Sequence, residues 1–239
     1  MRVAITVDFE PDCPPFLNSS FRGIEEGAPA LLDLFSRCGI PATYFTTGEV
    51  ADRYPNAVRD VVAANHELAC HGVTHSDFTT LDRAAARWEI EQSARTLREF
   101  APVTSFRAPY LKFPESFVSL LEASAFDLDA SLAKYKWSYR APRAESRLAR
   151  VAASMTSSVL RLPGPIRKPI LLALADPVVL FVHPWEFVDL TKTSLRYDCR
   201  FRTGRIALEC LEQVIDLFAE RDASFMTMRD IASTPRVAE

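Results

Sequence analysis

Short β-branched runs and helical-period segments follow one another along the chain, and that alternation restricts the fold more than any other feature. Val3–Val7 reads as a strand, and Ile24–Cys38 as a helix whose apolar residues recur at helical spacing up to Gly39. Ala42–Thr47, rich in Thr, Tyr and Phe, is a second strand; Glu49–Ala64 is helical, with a break and restart at Pro55. Glu67–Cys70 follows as a strand, Leu81–Phe100 as a helix capped by Asp82, and Val103–Phe106 as a strand. Pro114–Ala123 is helical and Phe126–Ala130 extended. Val178–Val182 is a continuous apolar run of the kind buried in a parallel sheet. An amphipathic helix over Thr203–Arg221 and a short strand at Ser224–Thr227 end the series. This order implies the α/β class, a parallel sheet with helices outside, open or closed into a barrel. The 239 residues suit one domain spanning 1–239.

Composition excludes several functions. With 48% hydrophobic and 25% charged residues the chain is an ordinary globular one. A net charge of -3 supplies no basic field for nucleic acid. No apolar window is long enough for a transmembrane helix, and the N-terminal run lacks the form of a secretory signal, so a cytoplasmic location is expected. Five cysteines without a C-x-x-C pair point to reduced thiols rather than a disulfide framework. The sequence leaves homo-oligomerisation open. One segment departs from the average: 133–168 is irregular and holds nine Lys/Arg against the single acid Glu145. It is a solvated excursion or a surface that meets an anionic substrate or a membrane face.

Polar residues gather where strands end, the usual place for functional groups in α/β sheets and barrels. Strand one runs into Asp8-Phe9-Glu10-Pro11-Asp12, and period-two geometry puts Asp8 and Glu10 on one face. Strand three runs into His71-Gly72-Val73-Thr74-His75, two imidazoles that can converge on one ion; with one carboxylate they leave positions open for water. Strand four ends in Arg107-Ala108-Pro109-Tyr110, where Arg107 can pair with a carboxylate such as Asp8. Strand five carries Asp127 and Asp129 on a common face. The late apolar strand ends in His183-Pro184-Trp185-Glu186, where a histidine with an acid nearby to set its tautomer is a natural general acid. Of the four histidines, only His66 is left for a structural role.

These segments, in this order, resemble the five motifs of the NodB-homology polysaccharide deacetylases, which are metal-dependent carbohydrate esterases. Thr6-Val7-Asp8-Phe9-Glu10 is similar to motif one, His71–His75 to the metal-binding motif two and Arg107–Tyr110 to motif three. Asp127–Ser131 is similar to motif four and Phe181–Pro184 to motif five. The resemblance spans about Arg2 to Ile231 and implies a distorted (β/α) barrel. It implies Asp8 as general base toward a metal-bound water, His71 and His75 as ligands of a divalent metal, zinc first, and Arg107 orienting Asp8. It further implies the Tyr110 N–H as an oxyanion donor and His183 as the acid that protonates the leaving amine, tuned by Asp129. Motif one departs from the common pair of adjacent aspartates, because Phe9 follows Asp8. Glu10 is then the better third ligand, as in the Asp-x-Glu variant, with Asp12 as fallback.

The implied activity is hydrolysis of an N-acetyl group from an amino sugar, with Tyr110 and Trp185 placed to stack on the ring. A cyclic-amide or ureide hydrolase on the same fold and a non-catalytic saccharide-binding barrel are the alternatives. A nucleotide- or lipid-linked precursor fits a cytoplasmic enzyme, with Arg161, Arg167 and Lys168 meeting its phosphates.

Overall fold

A computed structural model describes residues 1–17 and 19–234. Seven parallel strands form the wall: β1 (Arg2–Phe9), β2 (Thr43–Thr46), β3 (Glu67–Cys70), β4 (Ser105–Phe106), β5 (Leu128–Ala133), β6 (Ala149–Ala153) and β7 (Val178–Val182). They lie in the order β6-β5-β4-β3-β2-β1-β7, and a short β8 (Ser224–Phe225) pairs beside the start of β1. The two ends of the sheet meet: Ser154 N–H donates to Val179 O at 2.8 Å, and Val179 N–H donates to Ser154 Oγ at 3.0 Å. The result is a nearly closed barrel, as expected of the (β/α) alternation.

Alternation of side chains builds two cores. Val3, Ile5, Val7 and Phe9 of β1 face outward, where α1 (Ala28–Cys38) packs Leu31, Leu34 and Phe35 against the sheet. Each such side chain contributes about 1.5–3 kcal/mol on burial. The inward positions of the sheet give a second cluster of Ala4, Phe45, Ala69, Leu128, Ala130 and Val179. Its floor is α9 (Met228–Ser233), which inserts Met228 and Ile231. The Met228 N–H donates to Thr43 Oγ1 at 2.9 Å and the Arg229 N–H to buried Glu67 at 3.0 Å, so polar groups at the barrel's base are paired rather than stranded.

Helix boundaries follow local chemistry. α1 ends at Gly39, whose φ of 63° is the left-handed cap glycine adopts without strain. The helical stretch after β2 splits at Pro55 into α2 (Gly48–Arg53) and α3 (Pro55–Ala63). Asp82 caps α4 (Arg83–Arg98) by accepting from Ala85 N–H at 2.8 Å. The remaining helices are α5 (Val118–Ala123), α6 (Gly164–Leu172), α7 (Tyr197–Arg200) and α8 (Arg205–Ala219). Segment 133–168, expected to be irregular, contains β6 and the first half of α6. Its alanine- and arginine-rich strand lacks the β-branched signature, and it is held by pairing with β5 and by the closure at Ser154. No described helix is long and apolar enough to cross a membrane.

Candidate active site

The carboxyl ends of β1, β3, β4 and β7 deliver the site. On β1, Ala4, Thr6 and Asp8 point inward, and the chain continues extended far enough for Glu10 to join Asp8 over the barrel mouth. His71 leaves β3 on the inner face while Cys70 turns outward to Ser93. The following turn brings His75 back at φ 57°, after Gly72 at φ 78°. Buried Glu89 of α4 fixes that turn. It accepts from Val73 N–H at 2.5 Å, Thr74 N–H at 3.2 Å and Thr74 Oγ1 at 2.6 Å.

Glu10, His71 and His75 form one donor cluster, their nearest ligand atoms all within 4.8 Å of one another. Glu10 Oε2 lies 2.6 Å from His75 Nε2 and 3.2 Å from His71 Nε2. The His71 Nδ1–H donates to the Arg107 carbonyl at 2.7 Å, which leaves Nε2 as the lone-pair nitrogen aimed at Glu10. That tautomer lock is the outer support that metal-ligating histidines have. Burial alone would raise the Glu10 carboxyl, yet the neighbouring His75 and His183 hold it well below its ordinary range. Two imidazole nitrogens and an ionised carboxylate are a fitting donor set for zinc or a similar divalent ion. Asp12 is spent elsewhere: its carboxylate accepts from Ser20 Oγ and from the N–H groups of Arg22 and Gly23. Glu10, two residues on from Asp8, is therefore the carboxylate of the cluster.

Asp8 sits beside it. Arg107, fully buried over the Phe45 ring at 4.0 Å, donates through Nη1 to Asp8 Oδ1 at 2.5 Å and to Thr6 Oγ1 at 2.8 Å. This leaves Asp8 Oδ2 facing His183 Nε2 at 3.9 Å, and Glu10 Oε1 lies 3.7 Å from the same nitrogen. The other ring nitrogen of His183 donates to Glu186 Oε1 at 2.7 Å. Glu186 is in turn paired through Oε2 with Arg161 Nε at 2.9 Å, and Arg161 donates onward to the carbonyls of Asp198 and Phe201. Burial disfavours charge on His183, but Glu10, Glu186 and Asp8 outweigh it and push its pKa up to about 9.

Three expectations need correction. The partner of His183 is Glu186, not Asp129. Because Leu128 and Ala130 face the barrel interior, period two turns Asp129 to the outside, where it pairs with Arg150 Nε at 2.9 Å and accepts from Ser131 N–H. Trp185 is no open platform: it is 6% exposed, stacked on the His183 ring at 4.9 Å and packed with Cys13, Val188, Leu190 and Cys199. Arg161 and Arg167 are buried anchors, Arg167 donating to Leu160 O and Gln213, so neither meets a substrate phosphate. Tyr110 does reach the site, its ring edge-on to His75 at 4.7 Å and its backbone left-handed at φ 60°. His66 accepts from Ala42 N–H away from the cluster. The pairing of Arg161 with Glu186 and the part played by Glu89 were not legible in the sequence, both lying in segments with no motif of their own.

The profile of the polysaccharide deacetylase family matches residues 2–128, more than half of the chain and inclusive of Asp8, Glu10, His71, His75 and Arg107. The chain belongs to this family. Among curated deacetylases it is 34% identical over 113 residues to the chitooligosaccharide deacetylase of Sinorhizobium fredii, covering 46% of this chain and 50% of the relative. It is 27% identical over 124 residues to the peptidoglycan deacetylase of Helicobacter pylori, covering 51% of this chain and 42% of the relative. The matches thus span about half or less of these deacetylases' own length. A solved peptidoglycan N-acetylglucosamine deacetylase shares the fold, with TM-score 0.65, 19% identity, and coverage of 98% of this chain and 89% of that one.

Proposed function

We propose that this chain is a metal-dependent hydrolase that removes an N-acetyl group from an amino-sugar-containing substrate. The observation that carries the proposal is the confrontation of Asp8 Oδ2 and His183 Nε2 at 3.9 Å, directly beside the Glu10–His71–His75 cluster. Glu10, His71 and His75 would hold the divalent ion. When bound there, zinc or a similar ion supplies Lewis acidity to the water and to the amide carbonyl.

The chain's own groups then divide the proton work. Arg107 occupies Asp8 Oδ1, so Oδ2 is the oxygen that takes a proton from the attacking water. The Tyr110 N–H is the proposed donor to the oxyanion of the tetrahedral intermediate. His183 carries its proton on Nε2 toward the leaving amine, while Nδ1–H stays committed to Glu186. Acetate and the free amine are the products. The names of the similar deacetylases, acting on chitooligosaccharide and peptidoglycan, support an N-acetylated glucosamine unit as the reacting group.

Metal analysis of the purified protein, combined with an acetate-release assay on N-acetylated chitooligosaccharides, tests this reading. The expected result is about one metal ion per chain, acetate release, and an Asp8→Asn loss of about 10²–10⁴ in turnover. Full turnover by Asp8→Asn, or opening of cyclic ureides with no acetate released, overturns it.

A further inference from the structure

The mouth of the barrel carries a feature the hydrolytic chemistry does not use. Five aromatic side chains are largely exposed among the described residues, and four of them stand on the connecting segments that leave the carboxyl ends of strands. Phe16 follows β1 at 50% exposure, Tyr135 and Trp137 follow β5 at 44% and 85%, and Tyr197 follows β7 at 64%. The segment after β5 adjoins the site, and the segments after β1 and β7 adjoin each other. Tyr135 is close enough to Arg107 and Asp8 for both charges to act on its hydroxyl. Lys136 Nζ donates to Tyr110 O at 2.5 Å, and the Arg196 guanidinium lies 5.6 Å from the Phe16 ring.

Charge follows the aromatic residues. Arg140 lies 5.5 Å from the Trp137 ring and Arg200 5.6 Å from that of Tyr197. Segments 134–147 and 189–202 together hold nine Lys/Arg against three Asp/Glu, in a chain whose net charge is -3. Of these, Arg140, Arg196 and Arg200 stand beside the exposed rings, whereas Arg147 is tied to Glu122 at the end of α5 and Arg202 turns to Cys210. Aromatic tips at the water–headgroup boundary, with Lys/Arg attracted to anionic headgroups, are how proteins sit on a bilayer without spanning it.

We infer that the barrel mouth docks onto an anionic phospholipid surface, with Phe16, Trp137 and Tyr197 as interfacial anchors and the flanking Arg/Lys as the electrostatic contact. A polymeric glycan is the less fitting occupant. Trp185, the ring stacked on His183, is buried and offers no open face to a sugar. The three most exposed of the rim rings, Phe16, Trp137 and Tyr197, stand on three separate segments, an arrangement suited to a surface rather than to a strand of sugar units.

Co-sedimentation with vesicles tests this without any turnover. The full chain is mixed with phosphatidylcholine vesicles or with phosphatidylcholine doped with phosphatidylglycerol, at low and raised salt. Expected are pelleting with the doped vesicles alone, release by salt, and a drop of about fivefold in partition for Arg140→Ala, the loss of one interfacial charge. Trp137→Ala weakens partition as well, whereas Trp88→Ala, an exposed aromatic on the side of α4, leaves it unchanged. Asp8→Asn sediments like the unaltered chain, so the result does not depend on the catalytic reading. A chain that stays in the supernatant with doped vesicles overturns the inference, as does equal weakening by Trp88→Ala. Loss of chitooligosaccharide affinity in Trp137→Ala without vesicle binding would assign the rim to glycan instead.

Discussion

Glu186 is the residue on which His183, the proposed general acid, leans, and it is held from both sides. Arg161 Nε and His183 Nδ1 each take one of its oxygens within a buried pocket. Glu186→Gln leaves the Arg161 guanidinium buried without a counter-charge, a change that typically costs about 3–5 kcal/mol. Urea unfolding is expected to show that loss. The same variant should slow cleavage of an acetamide more than cleavage of an activated aryl acetate, whose leaving group needs no proton from His183. Equal slowing of both substrates would remove Glu186 from the proton path. The pH response has a defined sign. Burial raises the Glu186 carboxyl, but Arg161 and then His183 prevail and hold it below its ordinary 4.5. A carboxylate depressed on folding contributes stability above its unfolded value, and that stability is lost as pH falls through the folded one. Acid unfolding should therefore be less steep below about pH 4.5 in Glu186→Gln.

At the scale of elements, two packing devices present the site. The π-helical turn Gly23–Gly27 lies so close to the His183 loop that a Cβ on Gly27 would sit 2.1 Å from Pro184 O, and one on Gly23 2.5 Å from Trp185 N. Gly27→Ala is expected to destabilise by about 1–3 kcal/mol or more, because backbone meets it rather than a flexible side chain. A lowered melting temperature, with reduced turnover, is the check. The second device is Glu89. Glu89→Ala frees the N–H groups of Val73 and Thr74 and loosens the turn that carries His75. Metal affinity, read by competition with a chromophoric chelator, should fall about 10–100-fold, the usual effect of removing an outer support. An unchanged affinity would mean that the turn holds itself. These elements also show what a sequence discloses. Asp8, Glu10, His71 and Arg107 lie at ends of apolar strands, where alternation and strand polarity fix both face and end. Asp129 was misassigned because a pair of acids two apart shares a face without revealing which face it is. Inward Leu128 and Ala130 decide that only once the barrel closes. Arg161 and Glu89 act across segments far apart in the chain, and no local pattern marks such a partnership.

For the whole molecule, metal and stability should be linked. An ion that binds the folded Glu10–His71–His75 cluster and not the unfolded chain stabilises by RT ln(1 + [L]/Kd), about 2.7 kcal/mol at one hundred times Kd. Calorimetry should show the melting temperature rising with added zinc, falling on chelation, and losing that dependence in Glu10→Ala. A melting temperature indifferent to zinc in the unaltered chain would mean the cluster does not hold the ion. The closed base of the barrel has another bearing on turnover. With Met228 and Ile231 filling the interior and Glu67 tied to the start of α9, the described residues close the base of the barrel. The protein is a cup with one opening. In the proposed reaction water, substrate, acetate and amine would exchange through the same aperture, so a product still inside would bar the next arrival. Acetate should then inhibit in direct competition with substrate, and whatever covers the rim sets the pace of exit as well as of entry.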